Sequence, residues 1–424
     1  VDDGPIESLS DLPNTTKHRQ AATYERASGF EPPATQVAPE PVDTISQSRL
    51  NSFVVSPRDY FFGKVLESPT NYYMARGTVL HDAAEIYVND ASWVTDADKR
   101  EQLLDEMLDS LTAFVSDAKR PIERTTLDVG LDVIDTYLAA NPIRDAEYQT
   151  YDDPLQDNEL ADALGIPLDA RVCERWFEAP DLGGHGVMDL LQTPQTIVDY
   201  KSGQVKDAAT IHQQAAIDDV HATPDFQVLL YLAQHRRERP GEQLEMRFVH
   251  LLGAVDEMIR GSPPDPNELV TTLTYVPCSF DEFVATEAMF DQLTAFADSN
   301  NRCKVLTGLG YDRYREFFTT HSLPREDVAP DRRETVQAAF LDLAVDHVGD
   351  YKYVRDGVDK IFGDLTEPEG YFLKDDLDAF ETFLQDRLAE LNEYHTDRFP
   401  TSRDGETPNW DRVDYRDCIL TTDD

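Results

Sequence analysis

Cysteine is scarce in this chain: four residues are spread over 424 positions, and none forms a Cys-x-x-Cys pair. That spacing excludes a disulfide framework and a zinc site built from paired cysteines. Long apolar runs and a recognisable signal peptide are also missing. We therefore expect a soluble, cytoplasmic protein without membrane contact.

Lysine is rare as well, with ten residues against 28 arginines, whereas 82 acidic residues give a formal net charge of −44. Such acidity ordinarily argues against a nucleic-acid partner. A diffusely acidic, lysine-poor composition nevertheless resembles proteins of salt-loving archaea. At about 1 M salt the Debye length is about 3 Å, so distant carboxylates hardly repel a DNA strand. An ordinary acidic protein whose partner is not a polyanion remains an alternative.

The composition divides the chain into three stretches. Residues 1–45 are rich in Pro, Ser, Thr and acidic residues and are expected to form a disordered or loosely attached arm. Residues 46–255 change from helical to strand periodicity, with a helical insertion of two amphipathic helices around 97–141. Residues 256–424 carry mainly helical apolar stripes. We expect an α/β fold with a mixed sheet and a mainly helical C-terminal region.

The strongest chemical signal is an Asp-x-Lys at the end of an apolar run. Asp199 follows Ile197 and Val198, and Lys201 projects to the same side because residues two apart share a strand face. A short hairpin would bring Asp189, ten residues earlier, beside them. Two carboxylates and one ammonium at one point suit a Mg²⁺ site for phosphodiester hydrolysis. The alternative is a solvated hairpin with acidic tips.

Two helical segments add polar groups that could join this site. In Arg76-Gly77-Thr78-Val79-Leu80-His81, a loop is expected to enter a helix, and Glu85 lies one turn after His81 on the same face. Gln227 and Tyr231 share a face of a second helix, which begins near Pro224. A packed helical histidine and a core tyrosine are the alternatives.

These motifs together resemble the PD-(D/E)XK nuclease superfamily, specifically its RecB-type exonuclease branch, which includes CRISPR-associated adaptation nucleases. The resemblance covers roughly residues 46–255, and it implies a restriction-endonuclease-like core of helix, three strands, helix and strand. The matching segments are Ser48-x-x-x-x-Phe53-x-x-Ser56-Pro57-Arg58-x-Tyr60, Gly77-Thr78-x-x-His81, Gly186-x-x-Asp189, Asp199-Tyr200-Lys201-Ser202-Gly203 and Gln227-x-x-x-Tyr231. Five motifs in the right order are specific, whereas any one alone would be weak.

The resemblance also implies a role for each candidate residue. The expected ligands of Mg²⁺ or Mn²⁺ are His81, Asp189, Asp199 and the backbone carbonyl of Tyr200, with Glu85 as a further candidate. Lys201 is expected to position or activate the attacking water, and Gln227 and Tyr231 to bind the phosphate or orient Lys201. Glu174 is a weaker metal candidate. Arg58, Tyr60 and Arg76 are candidates for nucleic-acid contacts, with structural packing as the alternative.

One departure from the family concerns cysteine. Many relatives carry a four-cysteine iron–sulfur cluster, but the first cysteine position corresponds here to Ser56. The C-terminal stretch from Phe399 keeps only Cys418. Because such a cluster needs four thiolates, we predict that none is bound. Packing around Trp410, Val413 and Tyr415 would replace it.

The expected function is a metal-dependent deoxyribonuclease, an exonuclease or end-processing enzyme on single-stranded DNA in repair or recombination. The chain has no Gly-x-x-x-x-Gly-Lys-[Ser/Thr] loop, so any unwinding would come from a separate helicase. Alternatives are a non-catalytic DNA-binding scaffold of nuclease fold, a CRISPR-adaptation or viral nuclease, and a structure-selective endonuclease.

Overall fold

The computed structural model describes residues 41–66, 70–144, 158–168, 173–218, 220, 223–253, 255–261, 265–295, 301–325, 329–365, 369–394, 399–400 and 413. Most of the arm expected over residues 1–45 lies outside these ranges, as do Trp410, Tyr415 and Cys418. Val413 is described, and its side chain is buried.

The described residues contain a seven-stranded sheet. Its strands are β1 (Ile45–Ser46), β2 (Cys173–Ala179), β3 (Gly184–Thr193), β4 (Thr196–Lys201), β5 (Leu244–His250), β6 (Val270–Val276) and β7 (Tyr371–Leu373).

Helices precede, interrupt and follow the strands. Those before β2 are α1 (Gln47–Val55), α2 (Pro57–Val65), α3 (Tyr72–Asn89), α4 (Ser92–Thr95), α5 (Ala97–Ser110), α6 (Arg120–Ala140) and α7 (Glu159–Leu164). Those between β4 and β6 are α8 (Ala208–Ala215), α9 (Gln227–Glu238), α10 (Val255–Ile259) and a 3₁₀ turn (Pro266–Leu269). The rest are α11 (Phe280–Val284), α12 (Glu287–Thr294), α13 (Asn301–Leu309), α14 (Tyr311–Thr320), α15 (Pro330–Val348), α16 (Lys352–Asp364) and α17 (Lys374–Glu393). None of these described helices is both long enough and apolar enough to span a bilayer.

The sheet is mixed, as expected for this α/β fold. Its order is β1-β3-β4-β5-β6-β7, and β2 pairs with β3. The pairs β1–β3, β4–β5 and β6–β7 are parallel, whereas β2–β3, β3–β4 and β5–β6 are antiparallel. The central strand β4 is buried from Thr196 to Tyr200. A strand covered on both faces needs a continuous apolar run, which explains the sequence that precedes Asp199.

The sheet continues beyond residue 255, the expected end of the core. Strand β6 pairs antiparallel with β5, and β7 pairs parallel with β6. The residues 270–276, Val-Thr-Thr-Leu-Thr-Tyr-Val, are rich in the β-branched and aromatic side chains that favour strands.

Helices cover both faces of the sheet and build three hydrophobic clusters. One cluster joins α1, α9 and α17 to the sheet face that includes Ile197. A second joins α3, α5 and α6 to the opposite face, through Val198 and Tyr200. A third lies among α11–α16 and reaches the sheet at Leu373. Since Asp199 and Lys201 alternate with Val198 and Tyr200, they face the first cluster.

The start of α3 differs from the sequence expectation. The helix begins at Tyr72, so Arg76, Gly77 and Thr78 already lie within it and do not form an entering loop. The Asn71 side chain caps the helix by accepting a hydrogen bond from the Met74 N–H at 3.0 Å. Gly77 has a packing reason instead: a Cβ at this position would approach the Ser202 hydroxyl to 3.2 Å. A glycine therefore lets α3 lie close to the end of β4.

Candidate metal and catalytic site

The β3–β4 hairpin brings Asp189 to the end of β4, which carries Asp199. Leu190 pairs with Val198 across the hairpin, which sets Asp189 next to the end of β4. The Tyr200 N–H donates a hydrogen bond to the Asp189 carboxylate at 2.7 Å. This bond holds Asp189 beside the Asp199–Lys201 segment.

Helix α3 brings His81 to the same point. Its Nε2 lies 2.8 Å from the Tyr200 carbonyl oxygen, and its Nδ1 lies 3.4 Å from an Asp189 carboxylate oxygen. Neighbouring ligands of an octahedral Mg²⁺ ion are separated by about 3 Å, because each lies about 2.1 Å from the metal. The separation between Nε2 and the Tyr200 carbonyl is close to that value.

Glu174 on β2 completes a three-residue cluster. One ligand atom each from His81, Glu174 and Asp189 lie within 4.8 Å of one another. Glu174 has a φ of +48°, which is uncommon for a residue other than glycine and is found at functional sites. Sequence reasoning ranked Glu174 low, and only the folded chain brings it next to His81.

The carboxylates of this region are short of positive charge. Burial, followed by the nearby Asp189, raises the pKa of Glu174 to about 9. Burial and the nearby Asp199 raise the pKa of Asp189 to about 6. Buried carboxylates are stable when paired or bound to a cation. An oxygen-rich donor set with one imidazole therefore fits a divalent metal ion.

Lys201, Gln227 and Asp199 form a closed triangle next to this cluster. The Lys201 ammonium lies 2.7 Å from an Asp199 carboxylate oxygen and donates to the Gln227 side-chain oxygen at 2.6 Å. The Gln227 amide donates in turn to the other Asp199 oxygen. Burial lowers the pKa of Lys201, but Asp199 outweighs it and the net shift is upward. The ammonium therefore stays charged and is held in one orientation.

Tyr231 lies on the same helix as Gln227, but its hydroxyl bonds to the backbone of the hairpin. Its hydroxyl donates to the Val187 carbonyl at 2.7 Å, and its ring meets Phe177 edge-on at 5.5 Å. A Cβ at Gly186 would approach both rings to 3.0 Å. Gly186 is thus required for this packing, and Tyr231 supports β3.

Glu85, a candidate metal ligand, contacts Asn158 in the structure. Its side chain is buried and accepts a hydrogen bond from Asn158 at 2.9 Å. Asp82, which sequence reasoning did not single out, lines the cleft beside His81 instead. Burial and the nearby Glu85 raise the pKa of Asp82 to about 7. Its only sequence signal was its position next to His81.

The three candidates for nucleic-acid contacts are held by the protein itself. The Arg58 side chain donates to the Phe399 carbonyl at 2.9 Å, and Tyr60 is buried against the Phe399 ring. Both residues join α2 to the segment 399–400. Arg76 donates to the Tyr72 hydroxyl at 3.0 Å and lies near the cleft. Ser56, the expected first cysteine position, is buried and caps α2 through the Asp59 N–H.

A cleft of about 780 Å³ opens beside the candidate metal ligands His81 and Glu174. It lies along α3 and reaches the end of β4. Its lining residues are Asn71, Tyr73, Met74, Gly77, Thr78, His81, Asp82, Glu159, Glu174 and Ser202. Substrate can therefore approach the candidate metal ligands from one side of α3.

A family model of the PD-(D/E)XK nuclease superfamily matches residues 44–305, and the chain belongs to that superfamily. The match extends past residue 255 and includes β6. Neither the curated proteins nor the solved structures gave a match. Membership indicates a nuclease that hydrolyses phosphodiester bonds and implies DNA as substrate. Members generally use divalent metal ions.

Proposed function

We propose that this protein is a metal-dependent deoxyribonuclease that trims or processes single-stranded DNA ends during repair or recombination. The convergence of His81, Asp189, Tyr200 and Lys201 at the end of one strand carries the proposal. A non-catalytic scaffold would have no need for a charged, oriented lysine beside a set of metal donors.

Each site residue then has a distinct part in hydrolysis. His81, Asp189, Asp199, Glu174 and the Tyr200 carbonyl are the candidates to hold Mg²⁺ or Mn²⁺. The bound ion would lower the pKa of a coordinated water and neutralise charge on the phosphate. Lys201, oriented by Gln227, would donate a hydrogen bond to the attacking water or to the phosphate oxygen on which charge develops.

The finer assignment rests on sequence motifs and composition. The order of the five motifs supports the RecB-type branch, and the scarcity of lysine supports a salt-loving host. The buried Ser56 cap supports the absence of an iron–sulfur cluster. Elemental analysis that finds stoichiometric iron would contradict this last point.

Cleavage of end-labelled DNA in molar KCl tests the proposal. Single- and double-stranded substrates are incubated with Mn²⁺, Mg²⁺ or EDTA, and the isosteric Asp199→Asn variant is run alongside. We expect metal-dependent cleavage of single strands by the native protein and none by the variant. Cleavage that persists in EDTA or in the variant would refute the site assignment.

Two further substrates separate the remaining alternatives. The ladders from 5′- and 3′-labelled strands give the polarity of an exonuclease. A closed circular single strand resists an exonuclease but is cut by an endonuclease. DNA binding without cleavage under any metal would favour the non-catalytic scaffold.

A further inference from the structure

An exposed tyrosine lines the cleft beside His81. Tyr73, in the first turn of α3, exposes 70% of its surface, and its neighbour Met74 exposes 54%. Most large apolar side chains that the structure describes are buried, so two adjacent exposed ones are notable. Both line the same cleft as His81 and Glu174.

The Tyr73 ring is held in place from one side. The Arg76 guanidinium lies 5.7 Å from its centroid, and the Tyr72 ring lies at 5.2 Å. Tyr72 is itself fixed, since its hydroxyl bonds to Glu123 and accepts from Arg76. A supported ring with most of its surface in solvent can accept a flat partner at little entropic cost.

The residues that line the cleft near Tyr73 favour contact with nucleic-acid bases over contact with phosphates. Among its described lining residues, Asp82, Glu159 and Glu174 are acidic and none is Lys or Arg. Arg76 lies beside the Tyr73 ring but does not line the cleft, so phosphates find few cations among the lining residues. Aromatic stacking does not depend on charge, because every base has a π face, and it tolerates any sequence.

Building on the proposed function, we propose that Tyr73 stacks on an unpaired base of the substrate strand, and that Met74 flanks it. Positions 73, 77 and 81 recur every four residues along α3. Tyr73 lies roughly 12 Å along the helix axis from His81 at 1.5 Å per residue. The stacked base thus belongs to a nucleotide near the scissile phosphate and not to the one at it. A base within a duplex already stacks on both faces, so this contact selects single-stranded DNA.

Binding and cleavage by Tyr73 variants test the proposal. Binding of a fluorescent single strand is measured by anisotropy with Mg²⁺ in a Lys201→Ala background, and cleavage is measured in the native background. Tyr73→Ala should raise the Kd for single strands by about ten-fold or more, whereas Tyr73→Phe should keep native affinity. Tyr351→Ala, at a tyrosine that is 56% exposed but does not line the cleft, is the matched control.

Single abasic substitutions locate the contact. When the abasic position coincides with the stacked nucleotide, the Lys201→Ala protein should bind equally well with and without Tyr73→Ala. Equal binding of every strand by Tyr73→Ala and Tyr351→Ala would overturn the proposal, and so would an equal loss in Tyr73→Phe and Tyr73→Ala. Absence of cleavage by the native protein would instead refute the proposed nuclease, because the binding comparison does not depend on turnover.

Discussion

Two regions of this acidic protein use opposite charges in different ways. At the end of β4, the Asp199 side chain is 4% exposed, forms an ion pair with Lys201 and accepts a hydrogen bond from Gln227. On the outer surface of α5 and α6, Arg124 pairs with Glu101 and Asp105, whose side chains are 69% and 72% exposed. In the first arrangement the carboxylate is withdrawn from water, although Lys201 keeps 35% of its side chain exposed, whereas both carboxylates of the second are open to water.

This contrast shows where charge is costly to change. Removing one member of a buried, hydrogen-bonded pair leaves its partner without compensation, which is strongly destabilising. Exposed pairs contribute little and are screened by salt. The exposed acidic residues therefore give little information about function, whereas the few buried carboxylates indicate where the site lies.

The largest expected effect is at Lys201. Lys201→Ala should lower the rate of cleavage by about 100-fold or more, because the charge that develops on the phosphate loses its positioned donor. Single-turnover cleavage measures the rate, and circular dichroism checks that the variant is folded. A folded variant with native activity would remove Lys201 from the proposed mechanism.

A smaller effect is expected at Glu174. Glu174→Gln should raise the Mn²⁺ concentration for half-maximal binding by about ten-fold or more, since one anionic donor is lost from the cluster. Isothermal titration calorimetry measures this directly. Glu159→Gln, which changes another carboxylate of the same cleft, is the matched control. Equal affinities in the two variants would argue against Glu174 as a ligand.

A pH-dependent effect on stability is expected at His212. Its ring stacks on Phe372 at 4.1 Å, and burial together with Arg325 lowers its pKa to about 4. Between about pH 6.5 and 4 the unfolded chain binds a proton that the folded chain does not, so stability falls as the pH falls. This linkage amounts to at most about 3 kcal/mol.

Urea unfolding at several pH values tests that linkage. His212→Phe should lose less stability than the native protein as the pH falls from about 6.5 to about 4. The same substitution at exposed His347 is the control. An unchanged pH slope in His212→Phe would contradict the prediction.

The smallest effect is expected on the surface. Arg124→Gln should change the free energy of unfolding by less than about 1 kcal/mol, and less still in molar salt. Cleavage should be unaffected. A loss comparable to that of a buried pair would show that the two regions differ less than their exposures indicate.

Local sequence patterns predicted the central hairpin well. The alternation of side chains along β4 places Asp199 and Lys201 on one face, and the turn before β4 brings Asp189 beside them. These relations span few residues and depend on strand periodicity, so they can be inferred without knowledge of the rest of the fold. The helix that carries Gln227 was also predicted from a local pattern, in which Gln227 and Tyr231 share one helix face.

Relations between distant elements were harder to predict. Which of the carboxylates Glu85, Asp82 and Glu174 faces the cleft beside His81 depends on how α3 and β2 pack against the hairpin. Glu85 shares a helix face with His81, yet the protein turns it towards Asn158. The composition of residues 270–276 favours a strand, but its place in the sheet depends on pairing with β5.

The sequence by itself determined the class of chemistry, because the identity and spacing of Asp189, Asp199 and Lys201 are local facts of one hairpin. The tertiary structure decided which further side chains accompany them. It set His81 and Glu174 beside the hairpin, buried Glu85 and left Tyr73 exposed in the cleft. The physical reason is that burial and approach depend on packing between elements far apart in the chain, which no local pattern encodes.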